Sequence, residues 1–321
     1  MSGDHGGPDA QGAPRWDFST NANACGPAPA VIEALQRADA TRYPDPASTA
    51  LKETLAAFEG VDPRRITIAA SASEFIGRLT AAVKLQSAHA SVFVPSPGYG
   101  DYGRAADAWG LRRVGAPGDA SLVWVTEPAS PGGQSARIPA GREGAVLVVD
   151  EAYAALRLSG DRPAVPATAW RLVSPNKALG VTGVRGAYAV APDGAHAWTA
   201  ALDRLCPSWP LGAHGVALLA AWAAPATQQW VRDSLDTLRA WKAAQLALGD
   251  TLGWTQDPGV TAFYVVRWPG VDMAAVLPRL RSHGVKLRDT TSMGLPGAVR
   301  LGVRPPEAQA ALRAAWQAVV S

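Results

Sequence analysis

The sequence predicts an α/β fold, with a large domain on a mostly parallel central sheet flanked by helices and a small α+β domain at the C-terminus. Two observations lead to this prediction. Short unbroken apolar runs, such as residues 145–149, end in polar residues and alternate with helical periodicity, which is typical of strands buried on both faces. After residue 210 the pattern changes to a long helical stretch and then to strand, helix, strand and helix.

Each predicted element depends on its local pattern. Helices are placed where apolar residues recur at helical spacing, and strands where Val, Leu and Ile form short continuous runs. Ser73 is expected to open a helix that has Glu74 in its first turn, and Pro225 is expected to interrupt the long helical stretch. In chain order the predicted elements are helices 30–38 and 48–58, strand 66–70, helix 73–84, strand 91–95, helix 102–109, strands 122–126, 145–149, 171–173 and 186–190, the helical stretch 211–248, strand 262–267, helix 273–282, strand 298–303 and helix 306–319.

These elements divide the chain of 321 residues into five predicted parts. The first is rich in Gly, Asp and Pro and is therefore expected to be a tail without fixed structure. The parts are a flexible N-terminal tail at 1–14, an N-terminal arm of the small domain at 15–45, the large domain at 46–210, a connecting helical region at 211–249 and the small C-terminal domain at 250–321.

Composition excludes several classes of protein. Hydrophobic residues make up 48% of the chain and charged residues 18%, so a sizeable core is expected. The net charge of +3 is too small to predict binding to nucleic acid or to an anionic membrane. Two cysteines cannot build a disulfide framework or a thiolate metal site, so no metal is expected. No apolar run is long enough to span a membrane, and the N-terminus has no secretory pattern, so a cytoplasmic protein is expected.

Polar side chains stand where the predicted strands end. Ser71, Asp150 and Ser174 each follow an apolar run. In an open parallel sheet, ligands bind beyond the carboxyl ends of the strands. The sequence therefore predicts a ligand site at this edge of the sheet.

Three segments then indicate a family. They are Val148–Tyr153, which contains Asp150, the run from Ser174 to Arg185, which contains Lys177, and Ala70–Glu74. In their order, and in the Ser–Lys–Arg spacing of the second segment, they resemble the fold-type I pyridoxal-phosphate enzymes of the aspartate aminotransferase superfamily. The resemblance covers nearly the whole chain from about residue 17, and it implies that fold and pyridoxal 5′-phosphate as cofactor.

The resemblance also implies roles for individual residues. The catalytic set is Lys177, which would bind the cofactor covalently and move the substrate proton, Asp150 against the pyridine nitrogen and Tyr153 at the ring hydroxyl O3′. Ser130 stands where most relatives have an Asn that also binds O3′. The other cofactor contacts implied are the backbone amides of Ala72 and Ser73, the side chains of Ser174 and Arg185 at the phosphate, the stacking ring of Tyr99, and Tyr43 reaching in from the partner subunit of a homodimer.

The C-terminal segment suggests a subfamily and substrate-binding residues. Residues 288–296 followed by Arg300 resemble threonine-phosphate decarboxylases of cobalamin synthesis, which form (R)-1-aminopropan-2-yl phosphate from L-threonine O-3-phosphate. This resemblance implies that Arg300 binds the substrate carboxylate and Arg288 its phosphate, with Asn23 as a third substrate-binding residue. One alternative is an aminotransferase of the histidinol-phosphate type, which shares the core motifs. A second alternative is a degenerate protein that binds the cofactor or an anion without turnover.

Overall fold

A computed structural model describes residues 5–320 of the chain. The helices lie close to the predicted ones, with one addition, α5, which the sequence analysis did not place. In chain order they are α1 (Pro29–Gln36), α2 (Thr49–Glu59), α3 (Ala72–Gln86), α4 (Gly100–Ala108), α5 (His196–Arg204), α6 (Ala213–Trp222), α7 (Pro225–Thr251), α8 (Met273–Ser282) and α9 (Pro306–Val320).

The strands form three sheets. In chain order they are β1 (Trp16–Asp17), β2 (Ile66–Ala69), β3 (Ser91–Phe93), β4 (Arg112–Arg113), β5 (Leu122–Thr126), β6 (Val146–Asp150), β7 (Trp170–Val173), β8 (Ala187–Val190), β9 (Thr255–Asp257), β10 (Phe263–Arg267), β11 (Val285–Lys286), β12 (Arg288–Asp289) and β13 (Val299–Gly302). The central sheet has seven strands in the order β2-β8-β7-β6-β5-β3-β4. Only β8 runs against its neighbours, so the prediction of a mostly parallel sheet is confirmed.

Both faces of the central sheet are covered, as the unbroken apolar runs predict. All five residues of β5 are buried. Leu122 and Trp124 pack in one cluster with residues of α3 and α4, while Val123 and Val125 lie in a second cluster on the opposite face. Side chains alternate along a strand, and a strand in a two-sided core therefore needs apolar residues at every position.

The C-terminal region carries a second, antiparallel sheet in the order β12-β13-β10-β9. The N-terminal strand β1 pairs in parallel with β11 beside it, at Trp16 with Val285. Residues 16 and 17 therefore lie against the C-terminal region. The division into domains stays a prediction. Pro225 begins α7 after a short break from α6, where the sequence predicts the interruption.

The segment predicted to be a flexible tail makes contacts with the C-terminal region within the described residues 5–14, and its flexibility stays a prediction. Arg281 donates two hydrogen bonds of 2.9 Å to the carboxylate of Asp9, and Lys286 Nζ donates one of 2.7 Å to the carbonyl of Gly7. These contacts join the segment to the C-terminal region, and composition alone does not reveal them because their partners are about 270 residues away. Residues 1–4 lie outside the described residues.

The prediction that Ser73 opens a helix is wrong. Helix α3 starts at Ala72, and its N-cap is Ser71, which has extended backbone with φ −170°. The Ser71 hydroxyl accepts a 3.1 Å hydrogen bond from the amide of Glu74. Ser73 is therefore inside the first turn, with its side chain available for other contacts. No helix of residues 5–320 is both long and apolar enough to cross a membrane.

Candidate active site

A cleft with a cavity volume of about 90 Å³ lies at the carboxyl edge of the central sheet. Strands β5, β6 and β7 are adjacent and parallel there, and Thr126 pairs with Asp150 at the strand ends. The cleft gathers nearly all of the predicted cofactor residues. It is lined by Ser71, Ala72, Ser73, Tyr99, Tyr102, Thr126, Ser130, Asp150, Ala152, Tyr153, Ser174, Asn176, Lys177, Arg185 and Gly186.

Asp150 is the buried carboxylate at one end of the cleft. Its Oδ2 accepts a 2.7 Å hydrogen bond from the hydroxyl of Tyr102, and its Oδ1 accepts one of 3.0 Å from the amide of Ala152. Burial raises the pKa of Asp150, and the Tyr102 hydrogen bond and the charge of Lys177 act against that rise. Both oxygens therefore have a donor, which fixes the plane of the carboxylate.

Lys177 and Tyr153 face each other across the cleft. Lys177 Nζ lies 5.3 Å from the centre of the Tyr153 ring. Lys177 lies in an irregular segment after β7. The backbone amide of Asn23 donates a 2.8 Å hydrogen bond to the carbonyl oxygen of Lys177. The structure therefore brings the predicted lysine, carboxylate and phenol to one site.

The side chain of Asn23 makes hydrogen bonds within the protein, and the substrate-binding role expected for it stays a prediction. Its Nδ2 donates to the carbonyl of Ala178 at 3.0 Å and to the hydroxyl of Ser234 at 2.8 Å, and its Oδ1 accepts from the amide of Cys25 at 3.1 Å. Both amide hydrogens are engaged within the protein. Asn23 thus ties the segment that carries Lys177 to helix α7.

The opposite end of the cleft is suited to an anion. Ala72 and Ser73 are the first residues of α3, and the first amides of a helix have no carbonyl acceptor within it. Ser73 Oγ is 3.2 Å from the hydroxyl of Tyr99. Arg185 lines the same cleft, and within residues 5–320 the buried hydroxyl of Ser174 has no hydrogen-bond partner. A helix N-terminus, a guanidinium and an unpartnered hydroxyl therefore meet here.

Ser130 lies buried on the cleft wall in a loop that follows β5. The loop is held in place by Glu127, which is fully buried and paired with Arg157. It is also held by the C-terminal region, because the amide of Val260 donates a 2.6 Å hydrogen bond to the carbonyl of Gly133. Ser130 is therefore placed by long-range contacts, which its local sequence does not show.

Arg288 and Arg300 are buried side by side behind the cleft. They are paired residues of β12 and β13. Burial lowers the pKa of Arg300, and the nearby charge of Arg288 lowers it further. The Arg300 guanidinium lies 5.8 Å from the centre of the Phe263 ring, and that ring is 4.7 Å from the ring of Tyr153. Neither arginine is among the described residues that line the cleft. Arg300 is connected to the cleft through the ring of Phe263, which packs against the ring of Tyr153.

Tyr43 lies on the surface, away from the cleft of its own chain. Its side chain is 78% exposed and stacks on Trp209, with ring centres 4.4 Å apart. The Trp209 indole also donates a 3.1 Å hydrogen bond to the carbonyl of Pro44. A role for Tyr43 in the site of a partner subunit stays a prediction.

Sequence reasoning missed three residues of the site and one buried asparagine of the N-terminal segment. Tyr102 and Thr126 form the hydrogen-bonded support of Asp150, and Asn176 lines the cleft with an Oδ1 that has no partner among the described residues. Asn21 is buried, and neither of its amide atoms has a partner in that part of the chain. The only available signal was their nearness to the quoted motifs, which does not separate them from core residues.

The described residues fit pyridoxal 5′-phosphate, the cofactor that the sequence resemblance implies. The orphaned hydroxyl of Ser174 and the first amides of α3 suit the phosphate, and Asp150 suits a protonated pyridine nitrogen. Lys177 and Tyr153 then suit the side of the ring where a substrate amine would react. The residues for each part of the cofactor are therefore present in one cleft.

Comparison with known proteins gives concordant results. The family model "Aminotransferase class I and II" matches residues 15–121 and 115–318. The histidinol-phosphate aminotransferase of Rhodospirillum rubrum is 31% identical over 339 residues, covering 92% of this chain and 88% of that protein. The Sinorhizobium meliloti histidinol-phosphate aminotransferase in complex with pyridoxal-5′-phosphate aligns with TM-score 0.79 and 23% identity, covering 95% and 91% of the two chains. The L-threonine-O-3-phosphate decarboxylase of Porphyromonas gingivalis aligns with TM-score 0.74 and 17% identity, covering 94% and 98%.

Proposed function

The chain belongs to the aminotransferase class I and II family and is a pyridoxal-phosphate-dependent enzyme, and we propose that it transfers the amino group of a small phosphorylated amine of the histidinol-phosphate type. The curated relatives that match over most of their length carry that name. This is the alternative that the sequence motifs left open, and the relatives support it better than decarboxylation.

One structural observation supports this proposal most. Lys177, Asp150 and Tyr153 lie on a single cleft that ends at the first amides of α3. A reactive amine, a carboxylate for the ring nitrogen and an anion site are what amino-group chemistry on this cofactor requires. Arg300, which lies against the Phe263 ring and is paired in register with Arg288, adds positive charge beyond Tyr153, and this suits a phosphorylated substrate.

Each residue then has a definite task. The cofactor, when bound, supplies an electron-withdrawing ring that stabilises negative charge on the substrate carbon. Asp150 holds the proton on the pyridine nitrogen, and Lys177 Nζ removes and returns the substrate proton. The amides of Ala72 and Ser73 bind the cofactor phosphate, and the Tyr153 hydroxyl binds the ring oxygen.

A second candidate, decarboxylation of L-threonine O-3-phosphate, is favoured by the pairing of Arg288 with Arg300. The two are opposite each other in register and both are buried, at a considerable cost in desolvation. A substrate with both a carboxylate and a phosphate would engage two cations, whereas histidinol phosphate has only one anionic group. The reaction chosen depends on which bond of the substrate carbon lies perpendicular to the ring.

The two candidates are separated by a product assay. The purified enzyme loaded with pyridoxal phosphate is given histidinol phosphate plus a 2-oxo acid, and separately threonine phosphate. Amino transfer from histidinol phosphate with no CO₂ from threonine phosphate is the expected result. Release of CO₂ from threonine phosphate without amino transfer would establish the second candidate instead. Tight cofactor binding with neither product would indicate a protein that binds the cofactor without turnover.

We also propose that the enzyme works in the cytoplasm as a homodimer, with Tyr43 reaching the partner's site. The exposed stack of Tyr43 on Trp209 supports this, because two large aromatic side chains on a monomer surface favour burial in an interface. Sedimentation at micromolar concentration tests it, and full activity of a stable monomer would contradict it. Tyr43→Phe is expected to weaken cofactor or substrate binding, because it removes a single hydrogen bond.

A further inference from the structure

Tyr102 is a fully buried tyrosine whose hydroxyl, within the described residues, contacts Asp150 and Thr126. Its hydroxyl is 2.7 Å from Asp150 Oδ2 and 2.9 Å from Thr126 Oγ1. Its ring stacks on Trp124, with centres 4.9 Å apart and planes at 14°, and meets the ring of Tyr99 edge-on at 5.6 Å. The packing of the Tyr102 ring against Trp124 and Tyr99 thus holds its hydroxyl at the carboxylate that would bind the pyridine nitrogen of the cofactor.

The direction of these hydrogen bonds follows from the chemistry of the groups. An ionised carboxylate only accepts, so the Tyr102 hydroxyl donates to Asp150. Because that proton is used, Tyr102 accepts from Thr126, and the three side chains form a chain of donors ending on Oδ2. Burial and the charge of Asp150 raise the pKa of Tyr102 well above its usual value, so the phenol keeps its proton.

We propose that Tyr102 is a positioning residue that acts through Asp150: it fixes the carboxylate and keeps it ionised so that Asp150 can hold the proton on the cofactor's pyridine nitrogen. The proposal rests on the cofactor assignment and not on the choice of substrate. The backbone amide of Ala152 donates a hydrogen bond to Oδ1 of Asp150, and no side-chain substitution removes this donor. Tyr102 is therefore the donor to Asp150 that a single substitution can delete.

The alternative is that Tyr102 only packs. Tyr102→Phe separates the two roles, because it keeps the ring between Trp124 and Tyr99 and deletes the hydroxyl. A packing role would leave the acid limit of cofactor binding unchanged. A positioning role would move it, because a buried carboxylate that loses a donor is protonated more readily.

The experiment measures binding of pyridoxal phosphate to the apoprotein by quenching of tryptophan fluorescence across a range of pH. Wild type and Tyr102→Phe are compared. In the variant, the pH below which affinity falls is expected to rise by about one unit, since a hydrogen bond to a charged group corresponds to about a tenfold change or more. The loss of affinity caused by Tyr102→Phe should be smaller at pH 8 than near the acid limit. The ionisation of the cofactor phosphate is common to both proteins and cancels in the difference.

Three further variants keep the test decisive. Tyr264→Phe removes another buried hydroxyl, one that faces Gln245 in the C-terminal region, and is expected to leave the acid limit unchanged. Thr126→Val removes the first donor of the chain and should shift the limit in the same direction by a smaller amount. In an Asp150→Asn background, Tyr102→Phe should cause no further shift.

Equal acid limits in wild type and Tyr102→Phe, with both proteins binding the cofactor, would overturn the proposal. A shift that persists in the Asp150→Asn background would also overturn it, because the hydroxyl would then act on another group. Failure of the wild type to bind pyridoxal phosphate at any pH would overturn the cofactor assignment and this inference with it.

Discussion

The two ends of the cleft differ in how their buried polar groups are satisfied. At the carboxylate end, Asp150 has a donor on each oxygen, supplied by Tyr102 and Ala152. At the anion-binding end and along the adjoining wall, within the described residues, the hydroxyl of Ser174 and Oδ1 of Asn176 have no partner. Asp150, Ser174 and Asn176 are all buried, whereas Ala72 and Ser73 are half-buried and Arg185 is exposed.

This difference distinguishes support from ligand binding. An unpartnered buried polar atom costs about 1–3 kcal/mol, and such atoms are rare unless they serve a function. The protein supplies its own donors to the one group that must stay negative. At the other end it leaves the hydroxyl of Ser174, which can donate to a phosphate, whereas Asn176 Oδ1 can only accept a hydrogen bond. Within this cleft, the two donors to Asp150 therefore indicate support of the carboxylate by the protein, and the unpartnered hydroxyl of Ser174 indicates a contact with a ligand.

Lys177→Ala is the change expected to have the largest effect on this comparison. It removes the amine that lies between the two ends, and with it the covalent link and the proton transfer. We expect loss of the visible absorbance of the bound cofactor and a fall in turnover of at least about 10²-fold. Lys84→Ala is the matched control. Among the described residues, Lys84 donates hydrogen bonds to the carbonyls of Ala88 and Gly110. A Lys177→Ala protein that kept both colour and activity would refute the assignment.

Arg288→Ala tests whether the positive charge behind the cleft serves a substrate phosphate. Loss of a charge-assisted hydrogen bond should lower kcat/KM for histidinol phosphate about 10- to 150-fold, and leave the unphosphorylated alcohol histidinol nearly unaffected. Arg288→Lys should restore only part of the activity, because an ammonium cannot reproduce the planar guanidinium. The exposed Arg313 of α9, changed to Ala, is the control. Equal losses with both substrates would make Arg288 structural.

Arg300→Ala sharpens the choice between the two reactions. If Arg300 binds a carboxylate, its loss should weaken threonine phosphate more than histidinol phosphate, which has no carboxylate. Steady-state kinetics with both compounds measures this ratio. Equal effects would mean that Arg300 acts on the group the two share, the phosphate.

Replacing Lys242 is expected to have the smallest effect of these changes, and to alter stability alone. Its Nζ donates to the carbonyls of Gly259 and Thr261, in the turn that holds Gly133 and the loop of Ser130. Burial lowers the pKa of Lys242 from 10.5 to about 8. The unfolded chain therefore binds more protons between these values, and stability should rise with pH over that window.

The measurement for Lys242 is the difference in free energy of unfolding between wild type and Lys242→Met. This difference should increase in favour of the wild type from pH 8 to about pH 10. Lys84→Met provides the control. A difference that is constant with pH would show that the lysine stays charged in the folded protein.

Much of the fold was predictable because its signals are local. The buried strands are continuous apolar runs, and β5 was placed at residues 122–126 as observed. The edge strand β4 was missed because its residues, Arg112 and Arg113, are exposed and carry no apolar run. The reversed direction of β8 could not be predicted, since direction depends on how the chain connects strands and not on their composition.

The site was predictable where a motif holds the residues together. Asp150 with Tyr153, and Ser174 with Lys177, each lie within four positions of one another at a strand end. Tyr102 escaped because its partner Asp150 is 48 positions away. The contacts of Asn23 escaped for the same reason, since its hydrogen bonds to Ala178 and Ser234 cross 155 and 211 positions.

The most direct test of the account is thermal unfolding of the apoprotein with and without pyridoxal phosphate, in Ser174→Ala and in Asn23→Ala. We expect Ser174→Ala to unfold at nearly the wild-type temperature without cofactor, and to gain less stability when the cofactor is added, because it removes a group without a partner among residues 5–320. We expect Asn23→Ala to unfold several degrees lower without cofactor and to keep most of the gain on adding it, because it removes hydrogen bonds within the protein. The reverse pattern, with Ser174→Ala destabilised and only Asn23→Ala deprived of the gain, would contradict the account.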